Sequence, residues 1–440
     1  MKFVTEAPVF DPGSFDQSVL SDPILSARIR EFNDRYLHWT EVRYRTADET
    51  EFNAVWSAMK FIRGLTSQIL TICDKEFSYC MTPRFTELLH YIDRDAAGRI
   101  ETRLSGERET KRYLANSLME EAIASSQIEG AATTRKVAKQ MILSRRKPQT
   151  PGEIMILNNY WAMDRIKRSV DLDLTPELIL DMHRTITSGT IGYGAEWGGR
   201  FRDSDDIVVG DPLDEEKIYH RPPRHELISG FIDQLCSFAN NEDGAYMHPI
   251  IKAVILHYMI GHIHPFVDGN GRLARSLFYW YCLKNGYWLF EYASISTVIK
   301  KSKGQYGRAY QYTESDGDDL TYFIAFNLEC IRRSVEDLTD YMDRKAEEQR
   351  SALRFIEDDP RLNITEANLM KDQTRNQDVF SIYEVQSRYN VVYETARKYV
   401  MHLRDLGYIV PAGKKGKQQL FMINPDRPSV VSKGSERWNY

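Results

Sequence analysis

A mainly α-helical fold follows from three features of the sequence. Apolar residues recur at helical spacing along most of the chain, as in Pro23 to Asn33 and again from Gly106 to Gly130. Pro249 to Ile263 is apolar nearly all round, interrupted only by Lys252, His257 and His262, which reads as a buried helix. β-like patterning is confined to a glycine-bounded interruption between Gly194 and Pro223 and to a hairpin pattern near the C terminus.

The 440 residues are 42% hydrophobic and 28% charged, which suits a globular chain of two or three domains with a sizeable core. A net charge of -5 gives no global sign of nucleic-acid binding. The N-terminal stretch is acidic and contains proline, without the apolar segment of a signal peptide. No run approaches the length of a membrane span, so a membrane is not an expected partner. The five cysteines are scattered without a C-x-x-C pair and read as reduced, buried thiols of a cytoplasmic protein.

Residues 1–105 form a helical N-terminal region, with helices expected over Pro23 to Asn33 and Glu51 to Cys73. Tyr36, Leu37, His38 and Trp39 form an aromatic cluster that belongs to the core. Gly106 to Gly130 follows as one helix with a stripe of Leu114, Leu118, Ala122 and Ile123, and Gly130 is its stop. Ser125 and Glu129 share a face at its end, where a glutamate meets the negative pole of the helix dipole and needs a cation. Arg145 to Gly152 is a loop, and the next helix runs from about Glu153 to Arg168. Thr175-Pro176-Glu177 starts another, with threonine as cap and proline in the first turn.

Short strands are expected around Gly198 to Arg202, Asp206 to Gly210 and Ile218 to His220. A helix from Leu273 to Lys284 ends at Asn285-Gly286, a further one covers Ser294 to Tyr312, and Gly317 to Leu320 opens the last helix of residues 106–330. Residues 331–377 read as a charged helical linker, Val335 to Asp358, followed by a polar loop from Pro360. Residues 378–440 carry helices at Ser381 to Arg388 and Tyr393 to Leu406 and then a hairpin around Gly413-Lys414-Lys415-Gly416-Lys417. Helix, turn, helix and glycine-lysine hairpin resemble a winged helix, for which a DNA or a protein partner fits equally.

The chemistry concentrates in His264-Pro265-Phe266-Val267-Asp268-Gly269-Asn270-Gly271-Arg272-Leu273-Ala274-Arg275. Gly269 and Gly271 permit a tight turn and close approach of a ligand to the backbone. A helix beginning near Arg272 offers unpaired N–H groups and a positive dipole end to a phosphate. Arg272 and Arg275, three apart, can face one anion, and Asn270 can donate its amide to a phosphate oxygen. Asp268 can hold a Mg²⁺ that the phosphates share, and His264 is the group able to take a proton near neutral pH. His257 and His262 lack the spacing of paired helical metal ligands and read as core or capping histidines.

This string resembles, at every defined position, the Fic-family signature HxFx(D/E)GNGRxxR. Ser125-Ser126-Gln127-Ile128-Glu129-Gly130 resembles the (S/T)xxxE(G/N) inhibitory motif found N-terminal to the core in a subset of that family. The resemblance spans about Ser125 to Tyr322. It implies a Fic helical core with a short β-hairpin flap, between the helical N-terminal region and the C-terminal winged helix. It implies transfer of AMP from ATP, with Mg²⁺, to a Ser, Thr or Tyr hydroxyl of a target protein or of the chain itself. His264 would be the base, Asp268 the metal ligand, and Gly269, Asn270, Gly271, Arg272 and Arg275 the phosphate ligands. Tyr306 would lie against the nucleotide, and Ser125 and Glu129 would inhibit through Arg275. Removal of AMP using Glu129, or nucleotide sensing by a transcriptional regulator, are the alternatives. A homo-oligomer is compatible with the sequence.

Overall fold

The computed structural model describes residues 4–426 except 13–14, 97–106, 191, 193, 212–213, 243, 245, 377–378, 390 and 417. Gly106, Asp378 and Lys417, and the side chains of Leu114 and Lys415, therefore lie outside the described residues. The chain forms two compact units, one built from residues up to Leu338 and one from Thr339 onward.

The first unit opens with α1 (Pro23–Asp34), α2 (Trp39–Arg45) and α3 (Glu49–Thr66). Asp22 caps α1 by accepting from the Ile24 and Leu25 amides, and Asp48 caps α3 through Glu51 N–H. The aromatic cluster is core, as expected: Tyr36, Leu37, His38 and Trp39 are all buried. The expected helix to Cys73 instead ends at Thr66, and β1 (Ser67–Ile72) pairs antiparallel with β2 (Lys75–Cys80). Ile69, Thr71 and Ile72 are β-branched and favour a strand, and Cys73 and Asp74 both adopt positive φ, the geometry of a tight hairpin turn.

This N-terminal region is tied to the end of the helical core by one buried cation. Arg63 Nε donates to Asn33 Oδ1, Nη1 to the Tyr322 hydroxyl and Nη2 to the Leu37 carbonyl, each at 2.9 Å. Its guanidinium carbon lies 3.8 Å from the Tyr36 ring centre, a cation–π contact. α4 (Pro83–Ala96) follows, with Leu88, Leu89 and Ile92 buried along one face.

α5 (Glu107–Ile128), α6 (Arg135–Ser144) and α7 (Pro151–Arg168) come next, then α8 (Pro176–Thr187), capped by Thr175. The flap region differs from expectation. Gly198 to Arg202 is not a strand; β3 (Val209–Asp211) pairs with β4 (Asp214–His220) across an irregular register. Arg202 explains the difference. It is buried, and its guanidinium donates to the carbonyls of His264, Ser204 and Pro223, so this segment is shaped by one side chain and not by strand pairing.

α9 (Ile228–Ala239) leads to α10 (Pro249–Ile263) and α11 (Asn270–Lys284), an antiparallel pair at the centre of the unit. Ile255, Leu256, Tyr258, Leu277, Phe278 and Trp280 are fully buried there. Burying such side chains is worth about 1.5–3 kcal/mol each, which holds the intervening loop between two fixed helices. The expected single helix over Ser294 to Tyr312 is two, α12 (Ile295–Lys301) and α13 (Lys303–Ser315). Ser302 at φ -127° and ψ 33° breaks it, with Gly304 next to the break lowering helix propensity. α14 (Thr321–Asp358) is continuous through the expected linker.

In the second unit the expected loop after Pro360 is largely α15 (Ile364–Asn376). Asn363 Oδ1 accepts from the Thr365 and Glu366 amides, and Glu366 accepts in return from Asn363 N–H. This is a capping box with asparagine in place of serine, and behind it Ala367, Leu369 and Met370 are buried. β5 (Phe380–Ser381), α16 (Ile382–Tyr389), α17 (Tyr393–Asp405), β6 (Ile409–Lys415) and β7 (Gln418–Ile423) complete the unit, with sheet order β5-β7-β6. Phe380, Val400, Leu403 and Phe421 form its core. Among the described residues, no helix is long and apolar enough to cross a membrane.

Glu121 is the joint between α5 and α12. Its buried carboxylate accepts from the Tyr279 hydroxyl at 2.7 Å, the Ser294 hydroxyl at 2.9 Å, the Ser296 amide at 3.1 Å and the Ser296 hydroxyl. Those amide and hydroxyl donors at the start of α12 suit a carboxylate there. Glu121→Ala strands several buried donors at about 1–3 kcal/mol each, so a loss of about 3 kcal/mol in unfolding free energy is expected. Urea denaturation of the full chain measures it, and an unchanged midpoint would mean the joint contributes nothing.

Candidate active site

The loop between α10 and α11 is built by its own residues. Asn270 Oδ1 accepts from Phe266 N–H at 3.0 Å, and Asn270 Nδ2 donates to the Phe266 carbonyl at 2.7 Å. The asparagine thus closes the turn on itself, a role that the sequence reading, which aimed its amide at phosphate, did not include. Gly269 caps α11 at φ 86°. A Cβ at Gly269 would lie 2.6 Å from Thr187 Cγ2, so glycine is required there by space as well as by φ.

His183, on α8, supports the loop from below. Gly199 N–H donates to its Nδ1 at 3.0 Å, so Nε2 carries the proton and donates to the Asp268 carbonyl at 2.8 Å. The ring stacks on Phe266 at 3.6 Å between centres. Burial pushes its pKa down to about 4, which keeps this arrangement neutral. Nothing in the sequence pointed to His183, because it lies on a helix distant in the chain.

His264 ends α10 in the left-handed region at φ 47° and ψ 57°. Such a conformation is uncommon for a residue with a side chain. It is held by its own N–H to the Ile260 carbonyl at 3.0 Å, and by Arg202, whose Nε donates to the His264 carbonyl at 3.0 Å. Nδ1 lies 3.3 Å from the Gly261 carbonyl. A proton on Nδ1 satisfies that contact and leaves the lone pair on Nε2, the form a general base needs. Burial, and then His220, lower the His264 pKa to about 4.

The two arginines of the motif are buried, Arg272 at 0% and Arg275 at 1% exposure. They do not converge on one partner. Arg272 Nη1 donates to the Ile186 carbonyl at 2.9 Å and Nη2 reaches Asp268 Oδ2 at 3.2 Å. Arg275 Nε donates to Ser125 Oγ at 2.9 Å, and Nη2 donates to the Ser125 carbonyl at 3.0 Å and to Glu129 Oε1 at 2.9 Å. Nη1 of Arg275 lacks a well-formed hydrogen bond and faces the Gly271 backbone.

Glu129 stands over that backbone. A Cβ on Gly271 would lie 2.4 Å from Glu129 Oε1. The carboxylate therefore sits at the N terminus of α11, where the first amides have no carbonyl a turn earlier and an anion is favoured. Burial would raise its pKa, but the charge of Arg275 and its hydrogen bond, helped by Arg272 and Lys303, bring it below the usual glutamate value. Lys303 Nζ also donates to the Ile128 carbonyl at 2.6 Å, capping the end of α5 with a cation. Tyr306, on α13, donates to or accepts from His257 Nε2 at 2.8 Å and lies within the field of Arg275.

Asp268 differs from the arginines in being open, with 42% of its side chain exposed. Oδ1 accepts from Gly269 N–H at 2.6 Å. A single accessible carboxylate beside an anion seat is the donor set that Mg²⁺ uses when substrate phosphates and water fill its other positions, so Asp268 fits that role. His264, Asp268, the Gly269–Gly271 turn, both arginines, Ser125, Glu129 and Tyr306 are thus gathered at one end of the α10–α11 pair.

Residues 173–282 match the model of the Fic/DOC family. The Drosophila melanogaster protein adenylyltransferase Fic is 28% identical over 184 residues, which cover 41% of this chain and 33% of that relative. The Drosophila virilis protein of the same name is 27% identical over 209 residues, 47% of this chain and 38% of the relative. The match thus spans only about a third of the length of these curated relatives. Among solved structures, a Fic family protein from Desulfovibrio desulfuricans G20 superposes with a TM-score of 0.51 at 19% identity, covering 80% of this chain and 99% of the other. Fic-1 from C. elegans gives 0.51 at 15% identity, covering 73% and 86%. These two share the fold.

The depressed His264 pKa gives a direct expectation. The unfolded chain takes up this proton below about 6.5 and the folded chain only near 4, so the group's contribution to stability is complete above 6.5 and is lost as pH falls toward 4. Its ring resonances, assigned by comparison with His264→Ala, should titrate with a midpoint near 4. A midpoint at or above the free-histidine value of about 6.5 would contradict a half-buried ring held neutral.

Proposed function

We propose that this protein transfers AMP from ATP to a hydroxyl of a protein, and that Glu129 holds the activity down. The observation that carries the reading is the anion seat at the start of α11, lined by Gly271 and Arg275, with a neutral histidine at its rim. The adenylyltransferase relatives support it.

In the reaction, the target hydroxyl oxygen bonds to the α-phosphorus of ATP while the bond from that phosphorus to the bridging oxygen breaks. Pyrophosphate leaves, and the hydroxyl proton passes to His264 Nε2. The backbone amides of Asn270 and Gly271 hold the α-phosphate oxygens as charge builds, and Arg272 and Arg275 hold the outer phosphates. Asn270 serves by keeping that turn closed. Asp268 would hold Mg²⁺, which would supply charge neutralisation for the phosphates. No covalent enzyme intermediate is required, so positioning carries the rate.

Glu129 inhibits by taking the charge of Arg275 and the space over Gly271. ATP then binds with its outer phosphates displaced and its α-phosphate misaligned. Ser125 helps by fixing the same guanidinium. Residues from β5 to β7 are read as a winged helix that docks DNA or a protein; the helix–helix–hairpin order and the pairing of β7 with both β5 and β6 support that reading.

His264→Ala should lower AMP transfer by about 10²–10⁴-fold while leaving ATP affinity nearly unchanged. Incubation with α-labelled ATP, Mg²⁺ and a cell lysate measures it, and labelling at the wild-type rate would sink the mechanism. Glu129→Gly should raise labelling by about 10²-fold, the usual cost of misplaced reacting atoms. Loss of turnover in Glu129→Gly, together with release of AMP from a modified target by the wild type, would instead make Glu129 a group for hydrolysis.

A further inference from the structure

A second cluster of donors lies behind the active-site loop, and the adenylyl-transfer reading does not use it. His220 at the end of β4, His262 near the end of α10 and Glu314 on α13 bring one ligand atom each within 4.8 Å of one another. His220 Nδ1 is 2.7 Å and His262 Nδ1 is 3.5 Å from the same oxygen, Glu314 Oε1. Three elements distant in sequence thus converge on one point.

Two details orient these rings as metal ligands. His220 Nε2 lies 2.7 Å from the His262 carbonyl, an oxygen that can only accept. Its proton is therefore on Nε2, and in the neutral ring the Nδ1 lone pair points at a carboxylate oxygen. Two acceptors at that distance need a cation between them, either a proton or a metal. Histidines that bind metals are oriented in this way, by a hydrogen bond from the other ring nitrogen to a carbonyl. The second detail is His262, whose buried Nδ1 has no hydrogen-bond partner although it faces the cluster. Burial lowers the His262 pKa, which favours the neutral ligand form.

The geometry points to a zinc site formed by His220, His262 and Glu314. Two imidazoles and a carboxylate are a familiar zinc donor set, with water as fourth ligand. Partial exposure, 13%, 12% and 22% for the three side chains, leaves room for that water. Donors around tetrahedral zinc lie about 3.3–3.6 Å apart, given bonds of about 2.0–2.2 Å. The His262–Glu314 separation of 3.5 Å already matches, and the His220–Glu314 contact of 2.7 Å lengthens when zinc replaces the shared proton. Bound zinc would fasten β4 to the end of α10, two residues before His264.

The test uses the full chain, stripped with chelator and dialysed, then titrated with zinc chloride by calorimetry. One zinc per chain is expected. Cobalt(II) in its place should give visible bands without the near-ultraviolet thiolate band, since the donors are nitrogen and oxygen and the five cysteines are buried. Glu314→Gln and His220→Gln should each weaken zinc binding by at least about tenfold. Zinc should also slow amide exchange in β4 of the wild type and not of His220→Gln. His220→Gln removes a ligand from the flap strand, outside the central helix pair, so a folding failure of Glu314→Gln leaves the test intact. No saturable binding, a thiolate band, or equal affinity in the wild type and His220→Gln would each overturn the site and leave a proton as the bridging cation.

Discussion

Two guanidinium groups buried in the centre of the first unit set most of what surrounds them. Arg272 and Arg275 cannot lose their charge, and a buried charge without acceptors is costly. Every nearby element therefore supplies one. α8 gives the Ile186 carbonyl, the loop gives Asp268, and the end of α5 gives the Ser125 carbonyl and hydroxyl and the Glu129 carboxylate. α5 in turn is anchored along its C-terminal half, by Glu121 two turns before its end and by Lys303 at the end itself. The packing of four helices can be traced back to two side chains spaced one turn apart.

Strain is concentrated at the same place. His264 occupies a left-handed conformation that costs a residue with a side chain about 1–2 kcal/mol. Arg202 meets that cost by gripping the His264 carbonyl with its guanidinium, while its own backbone N–H donates to the Pro265 carbonyl at 2.9 Å. The hairpin region and the α10–α11 loop are thereby one assembly, joined through the backbone on both sides of the proline.

The sequence was most legible where function and structure are local. The α10–loop–α11 string could be read directly, since its glycines, arginines and histidine lie within a few turns of one another. Cap residues such as Thr175 marked helix starts correctly for the same reason. Long-range acceptors were invisible: His183, Arg202, Glu121 and Lys303 act on groups far away in the chain, and no spacing announces them. Two local readings failed on competing signals. The hairpin at Ser67 to Cys80 continued a helical pattern until a turn with two positive φ values, and α15 hid behind a polar composition although Asn363 and Glu366 capped it. Asn270 shows a subtler limit. Its amide suits a phosphate, yet the nearest backbone claims it first.

The bare backbone at Gly271 has a consequence for how this chain can change over generations. Glu129 and any phosphate would use the same small gap, which exists only because position 271 has no Cβ. A side chain there would expel the carboxylate and fill the gap in a single step. Variants that free the gap while keeping it open must therefore arise on the α5 side, at Glu129 or Ser125, and not within the glycine turn. A side chain at the turn would fill the gap, and loss of the carboxylate at the helix end would empty it.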